Sequence, residues 1–210
     1  MSNQVLRESA KARGEAYPKN PVLFKRDSGT PKQEAPAKEQ SPAVSTGISK
    51  PTGTAGIDVL VSGYTDAQKP EARKLFAQMV AMFEPVAQQL QVPAHDMGSA
   101  AAALIAGTYA AYHNETLPNE HFKPLVQQMQ AVLAQDANYG RMSSAEKQRM
   151  YQVLVGTGMF FTLMQMENAK KPDPQVTAQL QAAGKDFLGK FTRLNPEQLR
   201  LDSRGLSLRD

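Results

Sequence analysis

The chain contains no cysteine and no tryptophan. Without thiols, disulfide frameworks, zinc–thiolate sites and cysteine nucleophiles are excluded. The absence of disulfides leaves the compartment open, because exported proteins also manage without them. Long hydrophobic runs are missing too. The most apolar stretch, "YQVLVGTGMFFTLMQM" at residues 151–166, holds no charged side chain. Its apolar part from Val153 to Met164 is about twelve residues, against the roughly twenty that a bilayer crossing needs. Glu146, Lys147 and Arg149 flank it on one side, and Glu167, Lys170 and Lys171 on the other. No transmembrane span is expected.

Catalytic signatures are equally scarce. There is no GxSxG elbow, no P-loop and no dinucleotide fingerprint. The "GTG" at 156–158 sits inside the apolar stretch, without the strand-then-loop setting that phosphate binding requires. Carboxylates such as Glu71, Glu84, Asp136, Asp186 and Asp202 are scattered over predicted polar faces, and no spacing places two in a shared cleft. His95, His113 and His121 lack the i, i+4 spacing of a helical metal site. His95 and His113 fall at opposite ends of one predicted helix, roughly 27 Å apart at 1.5 Å per residue. His113 and His121 could approach across the 114–118 loop beside Glu115 or Glu120. A place for His113 at a helix C-terminus, where positive charge is favourable, fits better. Catalytic residues, metal and cofactor are all expected to be none.

Positive charge is surplus in one place only. Residues 1–56 carry nine Lys/Arg against five Asp/Glu, and residues 57–210 carry fifteen of each. A neutral body argues against a nucleic-acid surface, which needs clustered cations. The first 56 residues also hold six of the fourteen prolines, amid Ser, Thr, Gly and Lys. Such a composition has too little apolar surface to offset an ordering entropy of roughly 1–2 kcal/mol per residue, so a disordered tail is expected over 1–56. One island, "YPKNPVLFK", places Tyr17, Val22, Leu23 and Phe24 beside two prolines. It is either a locally sticky patch or a segment that docks on a groove of this protein or a partner.

From about residue 65 the apolar period becomes 3.6, which predicts one all-α domain over 57–210, a compact bundle of about five helices. The first is capped near Thr65 or Asp66 and carries Leu75, Met79, Met82, Val86 and Leu90, with a kink expected at Pro85. The second runs from a cap at Asp96 to His113, stopped by Asn114. Its run of Ala and Gly marks it as the most enclosed helix. The third covers about 119–136. The fourth opens on a capping box, Ser143 and Glu146, and continues through the apolar stretch to about Ala169. The fifth starts at Asp173-Pro174, cap followed by proline. "IDVLVSGY" at 57–64 reads as a short helix, and the tail after Asn195-Pro196 as a turn followed by extended chain. No sheet is expected, since long β-branched alternation with hairpin turns is missing.

Within this bundle a helix apolar on nearly every face belongs inside. Gly156 and Gly158 are expected to make close contact with the Ala-rich second helix. Met79, Met82, Met129, Met150, Met159, Met164 and Met166 fit core filling at helical spacing, although flexible thioethers also suit adaptable grooves.

Three blocks, "GYTDAQKPEARKLFAQMV", "VPAHDMGSAAAALIAGTYAAYHN" and "MSSAEKQRMYQVLVGTGMF", resemble an uncharacterised bacterial domain family of unknown function. The similarity covers roughly residues 60–195. It implies an all-helical, usually exported protein and leans towards the periplasm, and it supplies no catalytic residues. The opening "MSNQVLRESAKARGEAYPKN" lacks the apolar core of a signal peptide. The alternatives are a cytoplasmic protein and one whose leader was removed ahead of this Met. The functional expectation is a non-enzymatic protein–protein interaction or structural module of the bacterial cell envelope. It would have a protein partner and no nucleic acid, with room for a homo-oligomer. The alternative is a small-ligand-binding protein or small enzyme using a Met/Phe-lined cavity, with Tyr109, Tyr112, His113, Met159 and Phe160 as its candidate residues.

Overall fold

A computed structural model describes residues 44–209. Among them are seven α-helices and one small hairpin. The helices are α1 (Ala55–Val61), α2 (Lys69–Gln89), α3 (Met97–His113), α4 (Phe122–Ala134), α5 (Ala137–Arg141), α6 (Ser144–Lys170) and α7 (Pro174–Thr192). The hairpin strands are β1 (Leu199–Asp202) and β2 (Gly205–Leu208). The fold is all-α, as expected.

The Ala-rich helix α3 is the centre. Asp96 caps it by accepting from the Ser99 N–H at 2.9 Å, and Asn114 ends it in the left-handed conformation at φ 53°. Of its residues only Ala106, Tyr112 and His113 escape full burial. Three helices, α4, α6 and α7, pack against it. Small side chains make that possible, because they let neighbouring backbones approach. A Cβ added at Gly158 of α6 would collide with the backbone of Ala103 and sit 2.7 Å from the Leu104 nitrogen. Gly184 of α7 is pressed the same way, a Cβ there lying 2.6 Å from the Thr108 carbonyl oxygen. Gly156 differs from expectation. It lies two residues before Gly158, on nearly the opposite face of α6, and meets α1, where a Cβ would stand 2.6 Å from Leu60 Cδ1.

The apolar stretch of α6 is enclosed. Residues from Tyr151 to Phe161 are buried except Val153, and the rings of Phe160 and Phe161 pack on Phe76 and Phe187 at centroid distances of 6.0 and 5.3 Å. Among the described residues no helix is long and apolar enough to cross a membrane. Of the methionines, Met79, Met129 and Met159 are core, whereas Met82 and Met166 are exposed. The capping box forms as the sequence requires: Glu146 N–H donates to Ser143 Oγ, and the Glu146 carboxylate accepts from Ser143 N–H at 2.8 Å. Asp173 caps α7 ahead of Pro174, and α2 continues through Pro85.

Three features depart from expectation. Residues 119–136 form a 3₁₀ turn (Asn119–His121) followed by α4, and the short helix α5 then intervenes before α6. Residues 44–54, assigned by composition to the tail, lie along the bundle as a strap. Its Thr46 is buried, with Oγ1 donating to Asp96 at 2.6 Å, and Gly47 forms a bridge to Asp96. Successive glutamines of α6 hold the rest. Gln148 donates to Ser49 Oγ and accepts from Thr52 N–H, while Gln152 donates to the Gly53 carbonyl and accepts from Gly56 N–H. A strap fixed by carboxamides needs little apolar surface of its own, which is why composition reads it as tail. The remaining 1–43 lie outside the described residues, together with Tyr17, Val22, Leu23 and Phe24.

The third departure is the hairpin. Asn195 caps a 3₁₀ turn (Pro196–Gln198), and the chain then runs as β1 and returns as β2 with Leu201 opposite Leu206. Leu199, Leu201 and Leu206 bury their side chains with Tyr109, Leu125 and Val126 in a second core between α3 and α4. A four-residue strand offers only two apolar positions per face. That is too short for a periodicity argument, but enough once α4 supplies the other wall.

Candidate functional site

The end of α3, the segment after it and the hairpin enclose one cleft of about 840 Å³. Tyr109, Glu115 and Leu117 form one wall, and Arg200, Leu201, Asp202, Arg204 and Arg209 the other. Local chemistry builds both. Asn114 in the left-handed region stops α3, and Pro118 in extended conformation leads the chain away from the helix axis. Across the cleft, the Asp202 carboxylate accepts from the Arg204 N–H at 2.8 Å and so shapes the hairpin turn, while Gly205 takes φ 101°. Alternation along the strands then sends Leu199, Leu201 and Leu206 to the core and Arg200, Asp202, Ser207 and Arg209 to the cleft side, while Leu208 at the strand end stays exposed.

The cleft carries a slight excess of positive charge. Three arginines face two carboxylates, and Asp202 is already engaged. Arg204 Nη2 lies 3.1 Å from it and Arg200 Nε 3.3 Å. The hydrogen bonds from Arg204, with Arg200 nearby, hold the Asp202 carboxyl below its usual range. Arg209 donates through Nε to the Leu199 carbonyl at 3.1 Å. The terminal guanidinium nitrogens of Arg200 and Arg209 have no further protein partner among the described residues. A planar fork of this kind binds carboxylate oxygens in pairs.

The structure brings part of the expected cavity set together. The His113 ring packs against Tyr109 and Tyr112 at 4.2 and 4.5 Å. Tyr109 lines the cleft, and Arg209 acts electrostatically on His113. Met159 and Phe160 are elsewhere, buried in the main core against α2. His113 ends α3 as expected, but it does not carry the expected charge readily. Burial lowers its pKa, Glu115 opposes that shift and Arg209 adds to it. His121 lines the cleft, and its Nδ1 and the Nε2 of His113 are buried without a hydrogen-bond partner among the described residues. There, no group of three His, Asp or Glu side chains is placed to hold a metal ion.

The arginines were not singled out by sequence reasoning. The signal for them was present in "LRLDSRGLSLR", where leucines alternate with charged or small residues on both sides of an Asp-Ser-Arg-Gly turn. A smaller pocket of about 240 Å³ adjoins the cleft across Glu115 and Thr116, and there Gln165 donates to Asn114 at 2.9 Å.

No curated protein matches this chain, and no solved structure matches it. A family match does exist, and it reaches further along the chain than the three sequence blocks. Residues 14–209 match the family of unknown function DUF6683, and the chain belongs to that family.

Proposed function

We propose that this protein is a non-enzymatic binding module that captures an acidic segment of a protein partner in the cleft between Glu115–Pro118 and the hairpin. The observation carrying this reading is the placement of Arg200, Arg204 and Arg209 on one wall, with guanidinium nitrogens on Arg200 and Arg209 that have no partner among the described residues. The surrounding body is balanced in charge, so the arginines form a local feature rather than part of a general basic surface. The cleft volume lies within the roughly 300–1,000 Å³ of ligand-sized sites. A bacterial cell-envelope setting belongs to the same proposal, supported by the resemblance of the three helical blocks. Sequencing the gene's 5′ end for an encoded leader tests that setting.

Binding is tested by fluorescence anisotropy with the full chain and two fluorescein-labelled peptides, one of glutamates and one of glutamines. The glutamate peptide is expected to bind and to weaken as salt rises, since exposed charges are screened over about 10 Å at 0.1 M. The double variant Arg200→Ala/Arg209→Ala should lose at least tenfold in affinity. Equal binding of the glutamine peptide, or an unchanged double variant, would overturn the proposal.

A further inference from the structure

At its central pair, Leu201 opposite Leu206, the hairpin wall of the cleft is closed on the β2 edge and open on the β1 edge. The Arg209 N–H donates to the Gln198 carbonyl at 2.7 Å, which makes that opposed pair a hydrogen-bonded one. Antiparallel pairing alternates, so Arg200–Ser207 and Asp202–Gly205 are also bonded pairs. Leu201 and Leu206, opposite each other between them, therefore direct their N–H and C=O away from the partner strand. On β2 both outward groups of Leu206 are occupied, because the Gln128 carboxamide accepts from its N–H and donates to its C=O. On β1 the outward Leu199 carbonyl is taken by Arg209 Nε, which places that guanidinium on the β1 edge. The outward N–H and C=O of Leu201 have no partner among the described residues, and Leu201 lines the cleft.

We infer that β1 receives an extended acidic segment of another protein as a third strand, paired through the backbone of Leu201. This rests on the acidic-segment reading above and adds the mode of recognition. An unpaired strand edge is a template for a further strand, and natural proteins close such edges unless they are used. Here the Gln128 side chain closes the β2 edge at Leu206, and the β1 edge at Leu201 is left facing a cavity. Alternate side chains of the added strand would meet the face carrying Arg200, Ser207 and Arg209, and the intervening ones would meet Tyr109 and Leu117. The fitting segment therefore alternates acidic and small apolar residues.

Charge selects among occupants. Residues 1–43 of this chain carry eight Lys/Arg against five Asp/Glu, the wrong sign for an arginine wall. A second copy of the hairpin would set arginine against arginine. An acidic strand from a different protein is the complement.

The test uses the full chain and a fluorescein-labelled peptide of alternating Glu and Val, together with the same peptide N-methylated at alternate backbone nitrogens. Methylation removes strand hydrogen bonds and leaves every charge in place, so it requires no variant of the protein. The unmodified peptide is expected to bind at least tenfold more tightly than the methylated one, and to slow deuterium exchange at the Leu201 amide. Equal binding of both, with Leu201 exchange unchanged, would overturn strand addition while leaving acidic-segment capture standing. Failure of both to bind, alongside failure of the glutamate peptide, would overturn both readings.

Discussion

The side chain of Gln128 holds both backbone groups of Leu206: its Nε2 donates to the Leu206 carbonyl at 2.8 Å, and its Oε1 accepts from the Leu206 N–H at 2.8 Å. A residue of α4 thus takes the place of a neighbouring strand and pins the hairpin to the bundle. Gln152 grips the strap in a similar way, donating to the Gly53 carbonyl and accepting from the Gly56 N–H at the start of α1. Both elements that escape helical periodicity are held by carboxamides that imitate a backbone.

Removing that grip should free the hairpin. Each net hydrogen bond is worth about 1 kcal/mol, so Gln128→Ala is expected to cost about 1–3 kcal/mol. Amide exchange at Leu206 should rise well before exchange in α3. Gln128→Glu keeps the acceptor and loses the donor, so it should fall between the two. Unchanged Leu206 exchange in Gln128→Ala would show that the leucine side chains alone hold the strands.

The α3–α6 contact makes a sharper demand. In Gly158→Ala the new methyl meets the backbone of Ala103 and Leu104, which cannot rotate out of the way as a side chain would. Overpacking of this kind costs about 3 kcal/mol, and urea denaturation should show it as a lower midpoint. Gly140→Ala is the control, because its methyl meets only Val44 Cγ2, at 3.2 Å. Its effect should stay within about 1 kcal/mol.

Asp96 joins two elements at one carboxylate, capping α3 through Ser99 and anchoring the strap through Thr46. Loss of a cap costs about 0.5–2 kcal/mol, and the buried Thr46 hydroxyl left unpaired adds about 1–3 kcal/mol. Asp96→Ala should therefore lose about 2–4 kcal/mol, and Asp96→Asn, which keeps an acceptor, distinctly less. Limited proteolysis should cut the alanine variant within 44–54 under conditions where the bundle stays intact. Protection of that segment equal to the parent chain would contradict the anchor.

Alkaline pH should weaken the same corner. Burial pushes the Tyr139 phenol up to about 12, with Asp96 adding to the shift, and burial raises Tyr151 further, helped by Glu84 and Asp96. The Tyr139 hydroxyl donates to the Ser45 and Thr46 carbonyls, and that of Tyr151 to the Ala94 carbonyl at 2.6 Å. In the unfolded chain a tyrosine ionises near about 10. A group whose folded pKa is raised stabilises fully below the unfolded value and ceases to do so as pH climbs through the folded one. Urea midpoints should hold up to about pH 10 and then fall towards about pH 12. In Tyr139→Phe that fall should be shallower, and an equal slope would remove Tyr139 from the account.

Much of the bundle was legible because its signals are local. The cap at Asp96, the Ser143/Glu146 box and the Asp173-Pro174 start each act over three residues, and the structure places α3, α6 and α7 accordingly. The 3.6 period of Leu, Met and Phe does the same for the buried faces. The strap and the hairpin escaped. Thr46 and Leu201 reveal nothing until Asp96, Gln148 and α4 stand beside them, and those partners are far away in sequence.

Sequence alone therefore determined an all-helical body, the central place of the Ala-rich helix and the enclosure of the stretch after Tyr151. Each follows from short-range periodicity and from the solvent's rejection of apolar side chains. Only the tertiary structure decided that Arg200, Arg204 and Arg209 face Tyr109 and Glu115 across one cleft, and which edge of the hairpin is left open. Convergence of segments some ninety residues apart depends on how helices pack, and an edge is free or filled only once every neighbour is in position.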